Sequence, residues 1–232
     1  MKVAVLNFSG NVGKTTIAKN LMLPRLPDTP YLAIETINDN AASSDDLKVK
    51  GKDYNVVQDE LIINDNLIVD IGSSNVEQTL KNIAQREDSH NDYDYFILPT
   101  VISVKEQIDT NSTMLELLEM GVNADKIRLV FNRVDEQDKL ERDFEKVIKQ
   151  ADLLNVVIPK IGVEKNEVYE SLREFEISMQ ALLDMNQQEL KDKVKQATDD
   201  TTKRRIIRLI NLQRLAKTAK RNLDAVFADL SL

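Results

Sequence analysis

The sequence predicts an α/β protein, a mostly parallel sheet flanked by helices with a C-terminal helical extension. Three observations carry this. Short β-branched apolar runs alternate with helix-length stretches over the first two thirds of the chain, the rhythm of βαβ units. Those runs are continuously apolar rather than alternating, as strands covered on both faces are. From about Glu174 onward strand signals stop and helical ones remain. The expected division is an α/β domain over residues 1–173 and a helical extension over 174–232.

The elements follow in order. Lys2–Phe8 (KVAVLNF) reads as a strand ending in a turn. A helix starts near Lys14 and must stop before Pro24. Tyr31–Glu35 is a second strand, Ala41–Lys52 a polar loop and Tyr54–Ile63 a short helix. Leu67–Asp70 (LIVD) is a third strand, followed by Gly72-Ser73-Ser74 and a helical stretch Val76–Arg86. Tyr95–Leu98 is a fourth strand, and Ser103–Met120 a long helix closed at Gly121. Ile127–Phe131 and Val156–Ile158 are the fifth and sixth strands. Two helices complete the chain, Glu174–Gln196 and Thr201–Leu230, with Thr198-Asp199-Asp200 as the break.

Composition narrows the class. The 232 residues carry a net charge of −8 and contain no Cys. Disulfide and thiolate chemistry are excluded, and a reducing cytoplasm is the expected setting. Met1–Phe8 is too short and too polar-flanked for a signal peptide, and no apolar run reaches the roughly 20 residues of a membrane span. The single His90 sits in the polar stretch Asp88–Asp92 and reads as a solvated loop residue.

The strongest chemical signal is Gly10-Asn11-Val12-Gly13-Lys14-Thr15-Thr16 directly after the first strand. It matches a phosphate loop, whose glycines let backbone N–H groups turn inward as an anion cradle at a helix N-terminus. Lys14 reaches the β- and γ-phosphates, the Thr15 hydroxyl binds Mg²⁺ and Thr16 reaches the α-phosphate. Ser9, Gly10, Asn11, Val12 and Gly13 complete the loop. Phe8 stands where the strict pattern has its first Gly.

A phosphate loop needs an acid at a neighbouring strand tip to hold Mg²⁺. Asp70 has that place, and the Gly72 N–H suits a γ-phosphate sensor; the competing reading is a turn or cap beside Ser73 and Ser74. Glu35 closes the second strand, either as an acid acting on Mg²⁺ or water or as an ordinary strand-end charge. Asn132-Arg133-Val134-Asp135 follows the fifth strand. Asn132 carries the donor and acceptor that read a purine edge, with Arg133 beside it and Pro159 lining the same pocket. The competing reading is a plain turn. The spacing also mimics the guanine box of GTPases.

Between Lys203 and Arg221 the chain has eight basic residues and no acid; removing them from the total of −8 leaves −16 on the remainder. Leu209, Leu212, Ala216, Ala219, Leu223, Val226 and Leu230 form an apolar seam. The open readings are a lid on the domain, a partner or dimer helix, a DNA-phosphate contact and a membrane-surface helix. Ala216 and Ala219 favour close helix approach, hence a protein contact.

Phe8–Thr16, Leu67–Asn75 (LIVDIGSSN), Asp94–Thr100 (DYFILPT) and Leu129–Asn132 (LVFN) together resemble plasmid stability proteins of the StbB type, within the wider ParA/MinD family of deviant P-loop ATPases. The resemblance covers roughly residues 1–160. It implies a cytoplasmic nucleotide-gated switch, a slow ATPase using ATP and Mg²⁺ in plasmid stability, segregation or positioning. It also implies a homodimer, a plasmid-encoded partner protein that stimulates hydrolysis, and nonspecific DNA or membrane contact; here DNA would be met through Lys203–Arg221, ahead of a membrane surface. Ser9 stands where the family carries a signature lysine, and Ile37 and Asn38 lie near the place of its switch acid. The expected catalytic set is Lys14, Asp70 and Glu35, with Thr15 and Asp70 on the metal. A GTPase switch and a P-loop small-molecule ligase or kinase are the alternatives.

Overall fold

A computed structural model describes residues 1–35, 47–50 and 53–232. Ile37, Asn38 and most of the stretch expected as a loop lie outside them. The strands are β1 (Lys2–Val5), β2 (Tyr31–Glu35), β3 (Leu47–Lys50), β4 (Leu67–Ile71), β5 (Tyr95–Thr100), β6 (Ile127–Val134) and β7 (Val163–Glu164). They form one seven-stranded sheet in the order β3-β2-β4-β1-β5-β6-β7. Every pairing is parallel, with Val5 opposite Asp70 on one side of β1 and opposite Ile97 on the other. β1 is therefore central, and the chain leaves it toward β2 on one side and later occupies β5 on the other. In such sheets ligands bind beyond the carboxyl ends of the strands at this switch point.

The apolar strands bury both faces, as their continuous character requires. One face carries Ala4, Leu6, Val69 and Leu98 against α2 (Tyr54–Ile63), α3 (Ser73–Ala84), α4 (Val104–Glu119) and α6 (Glu145–Leu153). α4 ends where Gly121 takes φ 92°, a left-handed residue that lets Val122 N–H return to the Leu117 carbonyl at 3.1 Å. The other face carries Val3, Val5, Ile68, Ile97 and Val130. It is covered by the segment Ile17–Met22, by α7 (Val168–Glu174) and α8 (Met179–Asp184), and by α10 (Asp200–Asp229).

Several boundaries differ from expectation. Leu47–Lys50 (LKVK) is an edge strand, in which only Val49 turns inward; its charged outer residues suit an unpaired edge and give it the composition of a loop. Val156–Ile158 makes a single bridge, Val157 to Arg128, and the last strand is Val163–Glu164. Two unforeseen helices, α5 (Leu140–Asp143) and α6, fill the interval before it. Glu174–Gln196 is not one helix. α7 stops at Glu174, and Glu176, with a φ of 51°, breaks the helical path beyond it. α8 and α9 (Gln187–Gln196) then restart on their own caps, with Ser178 Oγ accepting from Ala181 N–H and Asn186 Oδ1 from Gln188 N–H.

The seam of α10 is spent inside the chain. Leu212, Ala216, Ala219, Leu223, Val226 and Leu230 are buried in the second core beside Val163 and Val168. The small residues permit close approach, as expected, but to the protein's own sheet layer, so the leaning toward a partner helix on this seam is overturned. Polar ties fix its distal end: Arg128 donates to the Leu230 carbonyl at 2.7 Å, and Asp229 accepts from Lys160 and Ile161 N–H at 2.6 and 3.0 Å. Its proximal turns are held at the surface, by a bidentate pair from Arg208 to Glu174 at 2.8 and 2.6 Å and by Arg205 and Arg208 over the Phe175 ring. Among the described residues no helix is long and apolar enough to cross a membrane.

Candidate functional site

β1 ends at Val5, and the chain turns through Ser9–Gly13 into α1 (Lys14–Thr16). α1 continues as a π-helical segment Ile17–Met22 and a short 3₁₀ turn before Tyr31. Gly13 has φ 89°, and a Cβ there would lie 2.3 Å from the Asn132 amide nitrogen. Backbone conformation and space thus both exclude a side chain at Gly13.

The loop surrounds a cleft of about 560 Å³. Gly10, Asn11, Gly13, Lys14, Thr15, Thr16, Glu35, Gly72, Ser73, Ser74, Arg133 and Arg173 line it. The sheet thus gathers the expected loop, both strand-end positions beyond β2 and β4, and the residue after Asn132. Ser9 and Val12 belong to the loop's frame: their side chains are buried. Pro159 is not part of the lining; with its strand reduced to a single bridge, α7 supplies that wall instead.

Lys14 is only 6 % exposed, and its ammonium donates to the Ser9 carbonyl at 2.6 Å. Burial pulls its pKa from 10.5 down to about 8, against the opposing pull of Asp70. A desolvated cation at the start of a helix, held by a single carbonyl, is ready to meet an anion. Asp70 is 3 % exposed, and Tyr31 donates its hydroxyl to Oδ2 at 2.7 Å. Burial pushes the Asp70 carboxyl up, while the Tyr31 and Thr15 hydroxyls and the charges of Lys14 and Lys19 hold it down. Its other oxygen, Oδ1, is buried with no hydrogen-bond partner among the described residues. A buried carboxylate oxygen left open beside the Thr15 hydroxyl fits a hard cation such as Mg²⁺.

Three expected residues are engaged in unforeseen ways. Asn132 donates its amide to the Val12 carbonyl at 2.8 Å and accepts from Arg133 N–H at 2.9 Å. It braces the loop from β6. The Gly72 N–H donates to the Ile34 carbonyl at 2.9 Å, extending the β2–β4 ladder. Glu35 pairs with Lys48 at 3.6 Å across the edge strand. Arg133, in the left-handed region at φ 57°, reaches Asn11 at 3.2 Å. Sequence reading missed Tyr31, which orients Asp70, and Arg173, which enters the cleft from α7. No local motif marks either, because both act through tertiary placement.

No family model and no curated relative match this sequence. Solved structures do. The MinD cell division protein of Aquifex aeolicus shares 13 % identity at a TM-score of 0.56, over 97 % of this chain and 96 % of that one. The septum site-determining protein MinD of Pyrococcus horikoshii OT3, complexed with Mg-ADP, shares 14 % at 0.53, over 94 % and 98 %. A plasmid partition protein of Borrelia burgdorferi B31 bound to AMPPNP shares 12 % at 0.53, over 98 % of each chain. At these identities the likeness is one of architecture, and the seven-stranded parallel sheet flanked by helices has the ParA/MinD fold.

Proposed function

We propose that the chain is a nucleotide-dependent switch ATPase of the StbB-type plasmid stability class, binding ATP and Mg²⁺ in the loop 8–16. The observation that carries this is a buried Lys14 ammonium on the cleft wall, with Asp70 buried close behind it, its Oδ1 open and its carboxyl within reach of the Lys14 charge and the Thr15 hydroxyl. Lys14 exchanges the Ser9 carbonyl for phosphate oxygens. Thr15 and Asp70 hold the metal, which when bound neutralises phosphate charge. Glu35, at the rim, is the acid placed to orient water, and Gly13, braced by Asn132, keeps the loop N–H groups inward. ATP is favoured over GTP because Asp135, the acid of the guanine-box spacing, does not line the cleft and pairs at the surface with Lys165 at 3.4 Å. The bound state would govern self-association and contact with a plasmid-encoded partner or with DNA phosphate through the exposed basic groups of Lys203–Arg221.

The test is equilibrium binding of ATP and GTP with and without Mg²⁺, with oligomer state recorded in each condition. Tight Mg²⁺-dependent ATP binding and weaker GTP binding are expected; no binding of either nucleotide overturns the reading. In Asp70→Asn, nucleotide binding persists while Mg²⁺ dependence and most hydrolysis are lost. The substitution is isosteric and relieves a carboxyl already pushed up by burial, so thermal stability should not fall. Unchanged turnover would leave Asp70 a structural residue.

Binding also carries a proton signature. Free Lys14 titrates at about 8, and phosphate oxygens around it restore the charged form, raising that value. Above about pH 8 binding must therefore take up a proton, and affinity falls toward tenfold per pH unit. Calorimetry in two buffers of different ionisation enthalpy measures the uptake at pH 9; none at that pH would show that Lys14 does not contact the nucleotide.

A further inference from the structure

Arg173 is the cleft residue that the resemblance does not account for. It stands on α7, whose buried face is Val168, Ser171 and Leu172. α7 is anchored on two sides. Val168 and Leu172 enter the second core, and the adjacent Glu174 holds Arg208 of α10 bidentately at 2.8 and 2.6 Å. A helix advances about 100° per residue, so burying Ser171 and Leu172 turns Arg173 off the core face and into the cleft lined by Lys14 and Thr15.

Two arginines share that cleft, and their situations differ. Arg133 is engaged with Asn11 at 3.2 Å. Arg173 has no hydrogen bond or ion pair from its guanidinium among the described residues. Gly10, Gly13, Thr15 and the buried Lys14 line the same cleft, a lining suited to an anion with several oxygens. A guanidinium is always charged and presents a fork of donors that matches phosphate geometry. Ser9, where a second lysine of the loop would stand, contributes no charge and is buried.

We propose that Arg173 supplies the second cation of the site, binding the terminal phosphate of a nucleoside triphosphate within the same chain. This rests on the reading of the cleft as a nucleotide site. Arg173 is a specificity residue for the number of phosphates: a diphosphate is held by the loop and Lys14, and the third phosphate recruits α7.

The test compares Arg173→Gln and Arg173→Lys with the unaltered protein, measuring ATP and ADP affinity with Mg²⁺. Arg173→Gln should lose roughly tenfold to a hundredfold in ATP affinity, the range of one charged hydrogen bond, with ADP affinity unchanged. Arg173→Lys should recover part of the loss. A thermal unfolding curve unchanged in Arg173→Gln shows that the platform is intact. Mixing Arg173→Gln with Lys14→Ala tells same-chain from cross-chain action, because a cross-chain arginine would be restored by the Lys14→Ala partner. No restoration is expected. An Arg173→Gln protein that keeps the original ATP-over-ADP preference, or a mixture that regains it, overturns the assignment. Failure of the nucleotide reading itself looks different, since the unaltered protein would then bind neither ATP nor ADP.

Discussion

Lys14→Ala abolishes nucleotide binding and leaves the fold standing. The ammonium is the buried point charge of the loop, and each charged hydrogen bond it makes to phosphate is worth about 1.5–3 kcal/mol. Losing contacts to two phosphates weakens ATP by roughly a hundredfold or more. Stability should hold for a reason visible in the titration. The folded-state value of about 8 lies below the ordinary 10.5, so the unfolded chain holds this proton more tightly. Below pH 8 the charged lysine therefore costs the fold stability, a cost relieved only as pH rises through that value. Alanine removes this cost along with the hydrogen bond to Ser9, and suits the first turn of a helix. Fluorescent-nucleotide titration and thermal unfolding on one sample decide the matter. Wild-type affinity in the variant would remove the phosphate loop from the account.

Ala216→Asp, by contrast, should collapse the protein. Ala216 is 0 % exposed in the core shared by α10 and the sheet, among apolar side chains such as Leu212, Ala219 and Val163. An unpaired buried charge costs about 3–5 kcal/mol, a large share of the 5–15 kcal/mol that holds a typical domain. The melting temperature should fall by about 6–20 °C, at roughly 2–4 °C per kcal/mol, or the variant should be insoluble. Arg214→Ala, on the exposed side of the same helix, should leave the melting temperature unmoved. Truncation after Asp200 should fare worse still, because it strips the cover from β7 and α7 and bares Val163 and Val168 together. A truncated chain that melts where the whole protein does would show α10 to be a detachable appendage.

The central strands and the loop were legible because their signals are local. Tyr31–Glu35 and Tyr54–Ile63 lie where the apolar runs put them, and Gly10–Thr16 is a contiguous motif. What escaped was fixed by distance or masked by composition. Val49 is the single inward residue of its strand, so Leu47–Lys50 reads as loop. The caps Ser178 and Asn186 lie within a stretch whose helical periodicity runs across them, hiding two breaks. The brace from Asn132 to Val12 spans 120 residues of sequence, and the entry of Arg173 into the cleft depends on how α7 docks. Neither leaves a trace in spacing. The seam of α10 was visible, but periodicity does not say whether the covering surface belongs to the same chain or another.

The unequal fastening of α10 has a thermodynamic consequence. One end is tied to the sheet by Arg128, Asn222 and Asp229, the other packs on the short helix α9 and is pinned by exposed charge pairs that salt screens. The helix is therefore not a single cooperative unit. Its first two turns, with Lys203, Arg204 and Arg205, can fray and reform at little cost, while amides beyond Leu212 open to solvent only when the whole sheet layer comes apart. Charge and rigidity are thus divided along one continuous element: the cationic turns sit on its yielding end, where ionic strength sets how long they stay ordered.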